Sequence, residues 1–193
     1  MTPQDLLSFE AEMAALFEAG QIRSPLHLAG GNEQQLIDLF KRIDLENDWV
    51  CGGWRMHYHA LLAGVPPEEL KAAILAGHSI ALCFPKYRVI SSAIVGGIAP
   101  IAMGIAWGLK RSGKPGKVWV FMGDMTARTG IISETERYAH GHELPINFVT
   151  EDNGKSVCTD TKEVWGRCGH SPYLSYRYEL TRPHVGIGKH VSF

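Results

Sequence analysis

Apolar residues recur at helical spacing from Pro3 to Glu18, where Leu6, Leu7, Phe9, Met13, Ala14, Leu16 and Phe17 form one stripe and Gly20 supplies a stop. A second helical run begins at Asn32 and carries Leu36, Ile37, Leu39, Phe40 and Ile43. Between them, Arg23 to Gly31 holds Pro25, His27, Gly30 and Gly31 and reads as a turn-rich loop. The stretch from Asp48 to His59, aromatic and glycine-bearing, passes from a short strand or turn into a helix. Pro66-Pro67-Glu68-Glu69 opens a further helix, with proline at its first turn and acids to match the helix dipole.

The pattern then changes period. Lys117 to Met122 is a short β-rich apolar run closed by Gly123-Asp124, Arg128 to His140 is helical, and Pro145 to Thr150 is a second apolar run closed by Glu151-Asp152-Asn153-Gly154. Strand, helix, strand at these lengths predicts a parallel βαβ unit and an α/β fold. Both polar clusters fall at the carboxyl ends of their strands, where open α/β sheets place ligands. Glu134 and Glu136 are expected on a solvated helix face, and Trp107 and Trp119 in the core. Val89 to Leu109 approaches the length of a membrane span, but its glycines, proline and serines predict a buried helix of small residues packed on another helix. Residues 1–158 are expected to form one domain. Residues 159–193, rich in aromatics, His and Arg, are expected to form an arm packing on that domain or on a partner.

Composition narrows the function classes. Of 193 residues, 45% are apolar and 20% charged, the formal net charge is -1, and no long basic run offers a footprint for nucleic acid. The N-terminus carries acids and no apolar signal core, so a cytoplasmic protein without a membrane segment is expected. Cys51, Cys83, Cys158 and Cys168 form no CxxC pair and are expected to be buried small hydrophobes. Most of the nine histidines, His140, His142, His184 and His190 among them, read as surface or packing residues. No GxGxxG follows a strand, which disfavours a Rossmann dinucleotide binder.

Candidate chemistry sits at the two strand ends. Magnesium takes oxygen ligands and keeps contact with substrate phosphates. A carboxylate at Asp124 and an amide carbonyl at Asn153 supply two such oxygens, and Gly123 lets the backbone approach a phosphate. Alone, Asp124 and Asn153 equally suit turns and helix caps.

The chain resembles the alpha subunit of the first component of 2-oxo-acid dehydrogenase complexes, a thiamine-diphosphate-dependent enzyme family. The family marker, Gly-Asp-Gly followed by a helix and Asn-Asn, reads here as Gly123-Asp124-Met125 and Asp152-Asn153. Segments 24–34, 52–65 and 93–110 resemble further family segments, and the matches run in order over roughly residues 5 to 157. The resemblance implies a parallel sheet flanked by helices on both faces, the thiamine diphosphate-binding fold in its diphosphate-binding form. It also implies a set of roles. Asp124, Asn153 and the Lys155 carbonyl would hold Mg2+; Trp54, Arg55, Gly123, Met125 and Thr126 would meet the diphosphate. Ala93 and Val95 would hold the aminopyrimidine, and His27 and His57 would lie at the reacting centre, with His59 near the cofactor.

Departures from the family are specific. Met125 replaces the second glycine of the marker, Trp54 stands for a tyrosine, and Ala81 stands where a catalytic-loop histidine is expected. The family's further helix, strand and His-bearing loop do not follow; Arg167 to Pro172 resembles that loop but sits early, which makes His170 a secondary candidate. The family activates its cofactor with a Glu from a pyrimidine-binding domain. The expectation is therefore a two-chain enzyme, a heterotetramer with a beta-type partner, of transferase or lyase type. Ala81 and the short C-terminal part favour transketolase-like or carboligase chemistry on a small keto compound or sugar. The alternatives are the alpha subunit of a 2-oxo-acid dehydrogenase, which decarboxylates, and a non-catalytic cofactor-binding subunit.

Overall fold

The computed structural model describes residues 1–166 and 173–182. In chain order the elements are α1 (Pro3–Glu18), α2 (Glu33–Phe40), β1 (Trp49–Gly52), α3 (His57–Leu62), α4 (Pro67–Leu75), β2 (Cys83–Phe84) and β3 (Val89–Ser91). They continue with α5 (Ile98–Ser112), β4 (Val118–Gly123), α6 (Gly130–Gly141), β5 (Ile146–Asp152), β6 (Lys155–Ser156), β7 (Thr159–Asp160), α7 (Thr161–Trp165) and β8 (Leu174–Arg177). The main sheet has the order β2-β3-β1-β4-β5-β8. Every pairing in it is parallel except β2 with β3. The sequence-predicted βαβ unit is β4-α6-β5.

Helices cover both faces, and β4 explains how. Its side chains alternate, so Val118, Val120 and Met122 enter one core with α5 and α6, while Trp119 and Phe121 enter the other with α1 to α4. On that second face lie Leu6, Met13, Leu36, Tyr58, Leu70 and Ile74, all fully buried. Each such side chain contributes roughly 1.5–3 kcal/mol over its exposed state. Trp119 meets its polar need by donating Nε1–H to Asp48 Oδ2 at 2.8 Å. The first helix starts where the sequence says it should: Thr2 and Asp5 form a reciprocal capping box and Pro3 opens the first turn.

Three sequence expectations change. Val89 to Leu109 is not one helix. Its β-branched start pairs with β1 as β3, and α5 begins only at Ile98, after Gly96 at φ 73°. A Cβ at Gly96 would lie 2.5 Å from Ile131 Cγ2, so the turn there needs glycine for both space and conformation. No helix among the described residues is long and apolar enough to cross a membrane. Second, Cys51 is buried but Cys83 and Cys158 are exposed, since each sits in a short edge or hairpin segment; Cys168 lies outside the described residues. Third, Trp107 is only half-buried, its ring 5.2 Å from that of His142, whereas Trp119 is core.

Within the segment expected as an arm, β8 adds a strand to the main sheet beside β5. Residues beyond it run over the loop before α2. Thr181 N–H donates to Gly30 O at 3.2 Å, and a Cβ at Gly31 would fall 2.0 Å from Glu179 O.

Candidate functional site

Parallel pairing with register Gly123↔Glu151 brings the ends of β4 and β5 side by side. The chain leaves β4 at Asp124 and β5 at Asn153, so the two candidate metal ligands emerge next to each other. Asp124 is 4% exposed, and neither carboxylate oxygen accepts a hydrogen bond from the described residues. Burial raises its pKa above the usual carboxylate range, with the neighbouring Asp152 adding to the rise and the Thr161 hydroxyl opposing it. A buried carboxylate without donors costs several kcal/mol as an anion unless something compensates it. A cation at this point would supply that compensation.

Asn153 is held at both ends of its amide. Its Oδ1 accepts the Lys155 N–H at 3.0 Å and its Nδ2 donates to Tyr178 Oη at 3.2 Å. Asp152 is engaged elsewhere, accepting from Gly154 N at 2.9 Å and from the exposed Arg177 Nε at 2.9 Å. Among the described residues no group of three or more His, Cys, Asp or Glu could hold a metal. The donors present are a single open carboxylate with amide and backbone oxygens. That set suits a hard, phosphate-associated cation such as magnesium and not zinc.

Two cavities meet here. The first is a cleft lined by Trp54, Arg55, Val95, Gly123, Met125, Thr126, Asn153 and Lys155, with Ile94, Gly96, Glu151 and Tyr178. The structure thus gathers eight of the sequence-predicted residues on one surface. Asp124 opens instead into an adjoining charged cavity, where Asp152 and Asp160 are met by Arg128, Lys162 and Arg177. Arg55 Nε donates to Leu28 O at 3.2 Å, which fixes the guanidinium on the cleft wall. Burial lowers the Arg55 pKa, opposed by Tyr178, Glu10 and Glu151. Open space in front of Gly123 leaves its backbone approachable.

Met125 fits without strain. Its φ of -66° is ordinary helical geometry, so glycine is not required there, and Trp165 Nε1 lies 3.0 Å from its sulfur.

Other predicted residues are not brought to the cleft. Ala93 is exposed and points away, because the turn at Gly96 presents Ile94 and Val95 instead. His27 is half-buried beside Trp54, with ring centroids 5.7 Å apart. His57 is drawn into the core: its Nε2 is 3.0 Å from Ser79 Oγ and its Nδ1 is 3.6 Å from Glu10 Oε1. His59 is also buried, 3.3 Å from Glu151 Oε1 and edge-on to Phe121. His170, His184 and His190 lie outside the described residues.

Sequence reasoning passed over Asn32, Glu151, Tyr176 and Tyr178. Asn32 Nδ2 donates to Glu151 Oε1 at 3.3 Å and to Tyr176 Oη at 3.1 Å, and Tyr176 hydrogen-bonds Glu151 in turn. Burial and Glu151 push both tyrosine phenols upward. The available signal was the spacing of two tyrosines two residues apart, which places both on one strand face.

Residues 1–166 match the family model described as Dehydrogenase E1 component. The Zymomonas mobilis pyruvate dehydrogenase E1 component subunit alpha is 27% identical over 166 residues, 81% of this chain and 47% of that protein. The mitochondrial protein of the same description from Dictyostelium discoideum is 29% identical over 194 residues, 90% of this chain and 50% of that one. The chain therefore spans about half the length of the curated relatives it matches. A solved structure from Mycobacterium smegmatis, provisionally assigned as thiamin diphosphate-dependent, overlaps 81% of this chain and 23% of its own. Its TM-score is 0.42 and its identity 17%.

Proposed function

The chain belongs to the dehydrogenase E1 component family, and on that footing we propose that it is the diphosphate- and metal-binding subunit of a two-chain, thiamine-diphosphate-dependent enzyme. The observation that carries this reading is Asp124, a buried carboxylate with neither oxygen hydrogen-bonded, set beside Asn153 at adjacent parallel strand ends.

Asp124, Asn153 Oδ1 and the Lys155 carbonyl would hold Mg2+. The Arg55 guanidinium, the Thr126 hydroxyl and the open backbone at Gly123 would meet the diphosphate, for which a guanidinium fork is well shaped. Val95 and Ile94 would wall the aminopyrimidine, with Ala93 supporting that loop from outside the cleft. When bound, thiamine diphosphate supplies a carbon nucleophile for a substrate carbonyl and an electron sink afterwards. His27, beside Trp54 but outside the cleft lining, is the proposed proton carrier. His57 is assigned a supporting place, since Glu10 and Ser79 hold its ring beneath Arg55's segment. Met125, being unstrained, gives no reason to favour a non-catalytic subunit.

The cleft rim favours a protein partner. Ile94, Val95, Val157 and Trp165 are 74%, 49%, 46% and 42% exposed around it, more apolar surface than a free face usually shows. A beta-type chain bearing the pyrimidine domain, in a heterotetramer, would cover it and supply the activating Glu. The named relatives favour decarboxylation of a 2-oxo acid as the reaction. Transketolase-like or carboligase chemistry on a small keto compound is the second reading, favoured by Ala81.

Calorimetry with thiamine diphosphate and magnesium tests the site. Asp124→Ala is expected to lose binding, and unchanged binding in that variant would overturn the proposal. Assays of the purified pair with pyruvate, a dye acceptor and aldehyde acceptors separate the reactions: dye reduction without condensation product supports the dehydrogenase reading.

A further inference from the structure

Asn153 and Tyr178 line both the cleft and the charged cavity beside it, and among the described residues no other lines both. A diphosphate held by Arg55 on one side and by a cation at Asp124 on the other would lie against this hydrogen-bonded pair. Tyr178 reaches that boundary from the segment after β8, where its N–H donates to Asp152 O at 3.0 Å. Its hydroxyl accepts from Asn153 Nδ2, and among the described residues no acceptor takes its own proton. Phenols donate as well as accept, so one donor function is left over at the boundary. On the opposite wall, Trp54 offers an indole N–H and no hydroxyl.

We infer that Tyr178 is a further diphosphate-binding residue of this site, donating its phenolic proton to a phosphate oxygen while accepting from the amide of Asn153. The inference rests on the function proposed above. It makes one side chain serve two ends: the accepted bond orients Asn153 toward the cation, and the donated bond is charge-assisted because its acceptor is anionic. Burial and Glu151 hold the phenol well above its ordinary pKa, which keeps the proton in place at neutral pH. Glu151 and Asp124 are the anions that act on the phenol; Glu151 is taken up by Asn32 and Tyr176, no hydrogen bond joins Asp124 to Tyr178, and a cation there would remove it as an acceptor.

The test compares Tyr178→Phe with the wild-type full chain, alone and with its partner chain, using three probes. These are thiamine diphosphate with Mg2+, inorganic pyrophosphate with Mg2+, and Mn2+ alone, read by calorimetry and by electron paramagnetic resonance. Tyr178→Phe is expected to weaken both diphosphate probes about tenfold while changing Mn2+ affinity less than threefold. Tyr176→Phe, which loses a bond to Glu151 but does not line either cavity, controls for loosening of the β8 segment, and melting curves report folding of both. Trp54→Tyr added to Tyr178→Phe is expected to recover part of the loss by placing a phenol on the other wall. Unchanged diphosphate binding in Tyr178→Phe overturns the inference. So does an equal loss for Mn2+ alone, which would make Tyr178 a positioning residue for Asn153 and nothing more. Wild-type protein that binds no thiamine diphosphate overturns the proposed function itself, a result distinct from either.

Discussion

Glu10 and Asp124 are both buried carboxylates, 1% and 4% exposed, yet their surroundings are opposite. Glu10 accepts the Ala29 N–H with both oxygens, at 2.8 and 3.0 Å, and faces His57 Nδ1, whose other nitrogen is tied to Ser79. Both Glu10 oxygens are answered by a backbone N–H. Neither Asp124 oxygen accepts a hydrogen bond from the described residues. A polar cluster that satisfies itself serves the fold, whereas one left open is kept for something the chain does not contain. Native interiors leave few such groups unsatisfied, and Asp124 is the carboxylate left open on both oxygens among the described residues.

The largest test of this contrast is Glu10→Ala. It strands the Ala29 N–H and removes the acid facing His57, and it is expected to cost about 3 kcal/mol, read as a lower denaturant midpoint. Asp124→Asn should do the reverse in metal-free protein. Removing an unanswered charge is expected to raise stability by about 1–2 kcal/mol while abolishing the upward shift in melting temperature that magnesium and thiamine diphosphate give the wild type. Equal destabilisation by both substitutions would erase the distinction. Met125→Gly is a smaller probe: it loses the Trp165 contact and gains chain entropy, an expected cost of about 1 kcal/mol without gain in cofactor affinity, measured by melting and calorimetry together. The smallest effect separates burial from inaccessibility. Cys51 is buried, which pushes its thiol up to about 12, so an aromatic disulfide reagent at pH 8 should label Cys83 and Cys158 and spare Cys51, as mapped by mass spectrometry.

Local pattern and turn chemistry made much of this legible. The apolar stripe of α1, the Pro66-Pro67-Glu68-Glu69 start of α4 and the β4-α6-β5 unit all follow from residues within a few positions of each other. Polar residues at strand ends then pointed to Asp124 and Asn153 before any contact was visible. What stayed hidden was non-local. His57 reads like a cofactor residue until Glu10, from α1, is seen to claim it. Val89-Ile90 reads as the start of a helix until β1 offers a parallel partner. Tyr178 gained meaning only when β8 placed it against a loop from β5. Each of these depends on pairing between segments far apart in the chain, which periodicity does not encode.

The tail crossing Gly30 and Gly31 has a consequence for the order of manufacture. The strands bearing Asp124 and Asn153 leave the ribosome before residues 174–182, by an interval on the order of seconds at roughly 5–20 residues per second. During that interval the metal loop exists without Tyr178 to hold the Asn153 amide, and the glycine loop lies uncovered. On the function proposed above, capture of the ligand waits on the segment that carries Tyr178. A nascent chain stalled short of Tyr178 would carry the recognisable motif and lack the side chain that holds the Asn153 amide.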